Sequence, residues 1–457
     1  MPSMLRVAAP AVLTLCALGL VRAQASSAVA FVGITVIPMD RERVVPGQTV
    51  VVSDGRISAM GPVGEVRVPE GATRVDGAGR FLLPGLAEMH AHIPGGQAPD
   101  AAVARVLFLY VANGITTIRG MLGHPRHLAL REETARGTRL GPTIYTSGPS
   151  FSGTSVPDAD TARRMVVAQK QAGYDFLKIH PGVKRDVFEA LAAEADRAGI
   201  RLAGHVPLDV GLQRALEARY ATIDHLDGYV EALLRPDAPL KASDTTWFGV
   251  NLADHLDERR IPDLVAATRR AGTWIVPTET LLEHTTNEMD PAEMARWPEM
   301  RYVPPEQIAQ WTEGKRKLIA TPGVTVATRR RFIEVRRRLI KALHAGGVGL
   351  LLGSDAPQVW NVPGFSIHRE LALLVEAGLT PWQALETGTR NVAAFFGTLT
   401  ERGTVAPGKR ADLLVLDADP LASIANTARI HGVMVGGRWM PRAEIDEGLK
   451  RYEVGQP

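Results

Sequence analysis

Cysteine is almost absent from this chain: Cys16 is the single one among 457 residues. It lies in a stretch that reads as a removable leader. A mature chain without it has no disulfide framework, no thiolate nucleophile and no cysteine-ligated metal. Net charge is nearly absent too, with 52 basic residues against 49 acidic ones, a formal +3. Removing Arg6 and Arg22 with the leader leaves 50 against 49, a balance that gives no reason to expect nucleic acid. The apolar stretch Val7 to Leu20, broken by Pro10, Thr14 and Gly19, is shorter than the ~20 residues a spanning helix needs. With Arg6 before it and Val21-Arg22-Ala23 behind it, residues 1–23 predict a secretory signal peptide. A periplasmic or secreted protein with no stable membrane insertion follows. The rival readings are a retained anchor and a lipid attachment at Cys16, and bulky Leu15 opposes the second.

What is present describes an ordinary globular protein, 45% hydrophobic and 22% charged. Its length suggests one large domain with a smaller one. Both ends are rich in short strands. Thr49–Ser53, the turn Asp54-Gly55 and Arg56–Met60 read as a hairpin, and Ala411–Asp417, Ile430–Val435 and Arg438–Met440 read as further strands. The middle alternates apolar strands with helical stretches, the pattern of a parallel α/β fold. Eight strands are predicted: Leu82–Met89, Gly114–Arg119, Thr143–Ser147, Phe176–Ile179, Arg201–Gly204, Ala221–Asp224, Thr273–Pro277 and Gly347–Gly353. The predicted architecture is α/β, a (β/α)8 TIM-like barrel over 84–398. A small composite β-sandwich is expected from 27–83 and 399–445. The connection between the seventh and eighth strands is unusually long. Its arginine-rich part predicts an outer helix, Phe332 to Ala345, with a solvated arginine face. The part containing Trp297, Met300, Tyr302 and Trp311 is either a lid over the substrate or ordinary packing.

His90-Ala91-His92 follows the first of these strands, and side chains two apart on a strand share a face. Lys178 lies at or near the carboxyl end of the fourth strand, His205 of the fifth, His225 of the sixth and Asp355 of the eighth. In a barrel these carboxyl ends converge on the active-site face. Each residue alone has a plainer role: a hydrogen-bonded structural histidine, a surface lysine, a helix cap. It is their joint placement that points to a metal site.

The chain resembles the metal-dependent amidohydrolase superfamily, in its imidazolonepropionase-like and prolidase-like branch. The carrying motifs are Pro84-Gly-Leu-Ala-Glu-Met-His-Ala-His92 and Gly403-Thr-Val-Ala-Pro-Gly-Lys-Arg-Ala-Asp-Leu413. The resemblance implies two divalent metal ions, zinc being the expected pair. It places His90 and His92 on the more buried ion, and His205 and His225 on the more exposed one. Lys178 would bridge them as a carbamate, the product of a neutral amine with carbon dioxide. Asp355 would bind the buried ion, take a proton from the attacking water and pass it to the departing amine. Expected substrate contacts are Tyr229, His180 (or else a partner behind the ligands or packing at the barrel rim) and Arg119, the last through a bidentate fork to a carboxylate or else as a barrel salt bridge. Gly120 and Phe151–Val156 depart from the family pattern where substrate is chosen.

The implied activity is hydrolysis of an amide C–N bond in a small molecule, a dipeptide or an N-acyl amino acid. A cyclic amide, imide or lactone is the alternative. A catalytically silent barrel acting as a small-molecule binding protein is the rival of another class, and the complete ligand set opposes it. Assembly into a homo-oligomer is left open.

Overall fold

The computed structural model describes residues 28–454, so the predicted leader over 1–23 and Cys16 lie outside the described residues. Among the described residues fifteen strands are formed: β1 Val29–Val36, β2 Val45–Ser53, β3 Arg56–Pro62, β4 Thr73–Asp76, β5 Phe81–Pro84, β6 Leu86–Ala91, β7 Ile115–Gly120, β8 Thr143–Thr146, β9 Phe176–Ile179, β10 Arg201–Gly204, β11 Thr222–Asp224, β12 Trp274–Val276, β13 Leu413–Leu416, β14 Ile430–Val435 and β15 Arg438–Pro441.

Both ends of the chain meet in one eight-stranded sheet of order β15-β14-β13-β5-β1-β2-β3, with β4 beside β1. Its own buried cluster includes Phe31, Ile34, Val50, Leu413 and Met434. The middle strands are parallel, in the orders β6-β7-β8 and β9-β10-β11-β12. Single bridges join the two groups. Ser147 pairs with Phe176 and Phe151 with Ile179 on one seam, Ile275 with Leu350 and Ala91 with Ala356 on the other. Backbone pairing therefore runs round the set in chain order. Helices such as Ala159–Ala172, Arg185–Ala198 and Gly211–Glu217 lie between the strands. Asp158 caps the first of these, accepting from Thr161 N at 2.7 Å.

Two expected strands take a different form. Leu82–Met89 is two strands: β5 pairs with β1 and β13 in the mixed sheet, and β6 pairs with β7. Gly85 makes the change of sheet possible, because a Cβ there would lie 2.3 Å from the Thr116 side chain. Gly347–Gly353 is not a regular strand. It passes as a hydrogen-bonded segment between neighbours, Leu351 N donating to Ile275 O (2.9 Å) and Met89 N to Leu352 O (2.8 Å). Glycine at 349 and 353 allows this passage, since added Cβ atoms would sit 2.2 Å from Trp274 and 2.6 Å from Val276.

In the long connection after β12 the aromatic part takes the packing alternative, while the helix differs from expectation. Met300, Tyr302 and Trp311 pack with Trp360 in a separate buried cluster, with Trp297 against its edge. The outer helix starts at Val326, where Thr325 accepts from Thr328 N at 3.1 Å, not at Phe332. Its arginines are not all solvated. Arg329 and Arg336 are buried, because the helix turns these two guanidiniums inward onto backbone carbonyls and a carboxylate. Among the described residues no helix is long and apolar enough to cross a membrane.

Candidate active site

β6 and β9 to β11 deliver His90, Lys178, His205 and His225 at or just past their carboxyl ends, and Asp355 follows the 349–353 segment. Residues distant in sequence thereby meet. His92 Nε2 lies 2.6 Å from Asp355 Oδ1, and His90 Nε2 lies 3.3 Å from Lys178 Nζ and 3.7 Å from Asp355 Oδ1. The rings of His90 and His205 each stand 4.5 Å from that of His225. His90, His225 and Asp355 each offer a ligand atom, all within 4.8 Å of one another. This tight trio takes one histidine from each of the two expected pairs.

Three of the imidazoles are oriented from outside. His90 Nδ1 lies 2.8 Å from Asp224 Oδ2, His205 Nδ1 is 2.6 Å from Asp227 Oδ2, and His225 Nδ1 is 2.8 Å from Thr278 Oγ1. Holding one nitrogen this way turns the other towards the site. His225 Nε2 is buried without any hydrogen-bond partner, which is costly unless something else occupies it. Backbone strain helps to aim these groups: His225 and Asp355 have φ of +64° and +65°, in the left-handed region.

Burial, reinforced by Lys178, holds His205 down to about 3. Burial, with neighbouring cationic groups, likewise keeps His90 and His225 well below the usual imidazole value. They stand as neutral imidazoles, the form that binds metal. Burial also lowers the Lys178 ammonium, against the opposing pull of Asp224 and Asp355. Neutral imidazoles, a carboxylate and a desolvated amine, with the buried His225 Nε2 unpartnered, fit a divalent ion of the nitrogen- and oxygen-binding kind.

The site opens into a cavity of about 800 Å³. His90, His92, Lys178, His180, His205 and Asp355 line it. So do Leu208, Trp247, Phe248 and Leu281. His180 stands edge-on to His205 at 4.8 Å, and burial holds it down to about 3. From the connection between β12 and the 349–353 segment only Leu281 reaches this cavity. The aromatic wall comes instead from residues 247–248, after β11.

Two expected contacts are not brought to the cavity. Tyr229 is fully buried with its hydroxyl 2.6 Å from Thr268 Oγ1, because the short helix Tyr229–Leu233 turns it into the core. Arg119 is fully buried as well. It donates to Met89 O (2.7 Å), Thr222 Oγ1 (2.9 Å) and both oxygens of Asp224 (3.1 and 3.2 Å). Its fork is spent on the protein, which is the salt-bridge alternative.

Sequence reasoning missed the supporting residues. Asp224 and Asp227 flank His225, and a carboxylate next to a candidate ligand was the available signal. Glu88, inside the first motif, accepts from His90 N and Ser354 N at 2.9 Å each, and burial pushes its carboxyl up to about 8. Arg336 donates to the carbonyls of His225 (2.7 Å) and Pro277 (3.0 Å) and pairs with Glu279 (2.9 Å). No local pattern in the helix distinguished it from its exposed neighbours.

Comparison with known proteins adds the following. A model described as the amidohydrolase family matches residues 81–440. An enamidase of Eubacterium barkeri is 25% identical over 391 residues, covering 84% of this chain and 85% of that protein. An adenine deaminase of Paracoccus denitrificans is 36% identical over 416 residues, 86% of this chain. This chain spans only 55% of that deaminase. The solved structure of a candidate prolidase from Bifidobacterium longum superposes with a TM-score of 0.68 at 23% identity, over 94% of this chain and all of that one. That likeness carries a TIM-barrel-type fold with an extra domain.

Proposed function

From the premise that this chain belongs to the amidohydrolase family, an enzyme family acting on C–N bonds, we propose a binuclear metal-dependent hydrolase. Its barrel is of the (β/α)8 type, beside a composite sheet domain. It cleaves an amide C–N bond in a dipeptide or an N-acyl amino acid. The observation that carries the proposal is the meeting of His90, His92, Lys178, His205, His225 and Asp355 at one cavity and the ring cluster behind it.

His90, His92 and Asp355 would hold one ion, and His205 and His225 the other. Lys178 would join them as a carbamate. Two divalent ions, zinc by expectation, supply there the Lewis acidity that polarises a carbonyl and acidifies water. The protein's own groups do the rest. Asp355, close to His92 Nε2, accepts the proton of the attacking water at a carboxylate oxygen and gives it to the departing amine nitrogen. Asp224, Asp227 and Thr278 keep the imidazoles oriented. His180 lines the cavity and would face the substrate from its wall. The leader over 1–23 would deliver this enzyme to the periplasm or the medium.

Similarity to an adenine deaminase at 36% identity favours one second reading, displacement of an amino group from a ring carbon by the same machinery. A screen of the metal-reconstituted enzyme tests both. Dipeptides and N-acyl amino acids are scored for free amino acid, and adenine for ammonia, with Lys178→Ala as control. Amide cleavage with about two metals per chain, both lost in the control, supports the proposal. Full activity in Lys178→Ala sinks the bridging carbamate, and ammonia release alone replaces amide cleavage with deamination.

A further inference from the structure

Building on the amide-hydrolase reading of this cavity, we propose that Phe248 and Trp247 form an aromatic wall selecting substrates with a bulky apolar group, preferably an aromatic ring, beside the scissile bond. Phe248 stands over the histidine cluster. Its ring centroid lies 5.2 Å from that of His225 and 6.3 Å from that of His205, tilted only 25° from the latter. Trp247 meets Phe248 edge-on at 4.8 Å. An acyl or amine substituent beside the reacting carbon therefore meets ring surface.

Two of the large apolar side chains most exposed to solvent share this one cavity: Leu208 is 44% exposed and Trp247 38%. Scattered exposed apolar residues need no explanation, but a pair lining one cavity is what an apolar ligand covers. Pro207, Val210 and Leu212 continue the wall on the Leu208 side. The rim arginines are already engaged, Arg185 and Arg214 both binding Glu189, at 2.6 and 2.7 Å. The wall itself, with Leu208, Trp247 and Phe248, offers apolar area to a ligand.

The wall is also built at a cost that a loop of no function would shed. Phe248 has φ +51° and ψ +25°, followed by Gly249 at φ +81°, two left-handed residues in succession. Glycine is needed at 249, where a Cβ would lie 2.8 Å from Val230 Cγ1. Around this kink the segment is pinned. Trp247 Nε1 donates to Thr285 Oγ1 (3.2 Å), and Thr246 N and Oγ1 both donate to Asn251 Oδ1 (2.8 Å each). Val250 and Leu252 are buried in one cluster with Leu281, Leu282 and Phe332. The ring is thus pre-positioned, which favours binding by lowering the cost of ordering it.

The test compares N-benzoylglycine with N-acetylglycine, and N-acetylphenylalanine with N-acetylalanine. The reconstituted wild type is set against Phe248→Ala, Phe248→Leu and Trp247→Ala. In wild type kcat/KM favours the aromatic member of at least one pair by about tenfold or more. In Phe248→Ala that ratio falls towards one through a higher KM, while Phe248→Leu retains part of it. Metal content and the far-ultraviolet circular dichroism melt confirm that each variant is folded and loaded. A wild-type ratio near one in both pairs overturns the wall, as does an equal loss on both members of each pair in folded Phe248→Ala. Calorimetric titration with benzylphosphonate and methylphosphonate reads the same preference without turnover. If no amide is cleaved but benzylphosphonate binds better and Phe248→Ala removes the difference, the wall stands and the amide reading falls. If the two phosphonates bind alike and no amide is cleaved, both fall.

Discussion

Arg119→Met gives a direct measure of what holds the candidate metal-ligating histidines in place. In the wild type the guanidinium is fully buried and makes hydrogen bonds to Met89 O, Thr222 Oγ1 and the Asp224 carboxylate, 2.7 to 3.2 Å long. Burial on its own would raise the Asp224 carboxyl. Arg119 first, then Lys178 and His225, overcome it and hold that group below the usual range. Without Arg119 the balance moves towards the protonated acid. Leaving one partner of a buried ion pair alone costs about 3–5 kcal/mol. Asp224 is also the group 2.8 Å from His90 Nδ1, so its protonation loosens the His90 ring. Loss of such an outer partner lowers metal affinity roughly 10–100-fold. Urea denaturation should show the stability loss, and zinc competition against a chromogenic chelator should show the affinity loss. The fall in kcat should follow metal content, with no special effect on substrates bearing a carboxylate. The reasoning fails if Arg119→Met keeps wild-type stability and zinc affinity while KM rises only for carboxylate-bearing substrates. That result would return Arg119 to substrate binding.

Three shorter tests bear on neighbouring claims. Tyr229→Phe removes one buried hydrogen bond to Thr268 and should cost about 1 kcal/mol in denaturant titration with kcat/KM unchanged; a raised KM would restore it as a substrate contact. Thr278→Val frees His225 Nδ1 and should weaken zinc binding roughly tenfold in the same chelator assay; unchanged affinity would show that the hydroxyl does not orient the ring. Glu370 accepts from Glu279 N, Thr280 N and Thr280 Oγ1, and burial pushes its carboxyl from 4.5 up to about 7. A folded pKa above the unfolded one gives stability that is complete below about pH 4.5 and is lost as pH rises to about 7, a change of about 3 kcal/mol. Glu370→Gln lacks that decline, so its stability gap to wild type should shift in its favour between pH 5 and pH 8. A gap independent of pH refutes the assignment.

How far the chain could be read in advance depends on the distance over which each feature is encoded. The two motifs identified the family because they are contiguous, and the short strands β9, β10 and β11 stood out with Lys178, His205 and His225 at or just past their carboxyl ends. The change of sheet at Gly85 and the irregular passage of 349–353 were hidden, because both depend on glycines approached by Thr116, Trp274 and Val276 from other strands. Arg336 shows the limit most plainly. In sequence it is one of six arginines between 329 and 338, and on composition a solvated face is the natural reading. The fold singles it out because its turn of the helix faces the carbonyls of His225 and Pro277 where the sixth and seventh strands end. Those carbonyls are left without strand partners by the sharp left-handed backbone at His225 and at Thr278, with φ +64° and +49°. The strain that aims the His225 imidazole into the site thus creates the need for a buried cation more than a hundred residues away. Residues of this kind are found by asking which backbone groups the active-site geometry leaves unsatisfied, a question that exists only once the strands are in place.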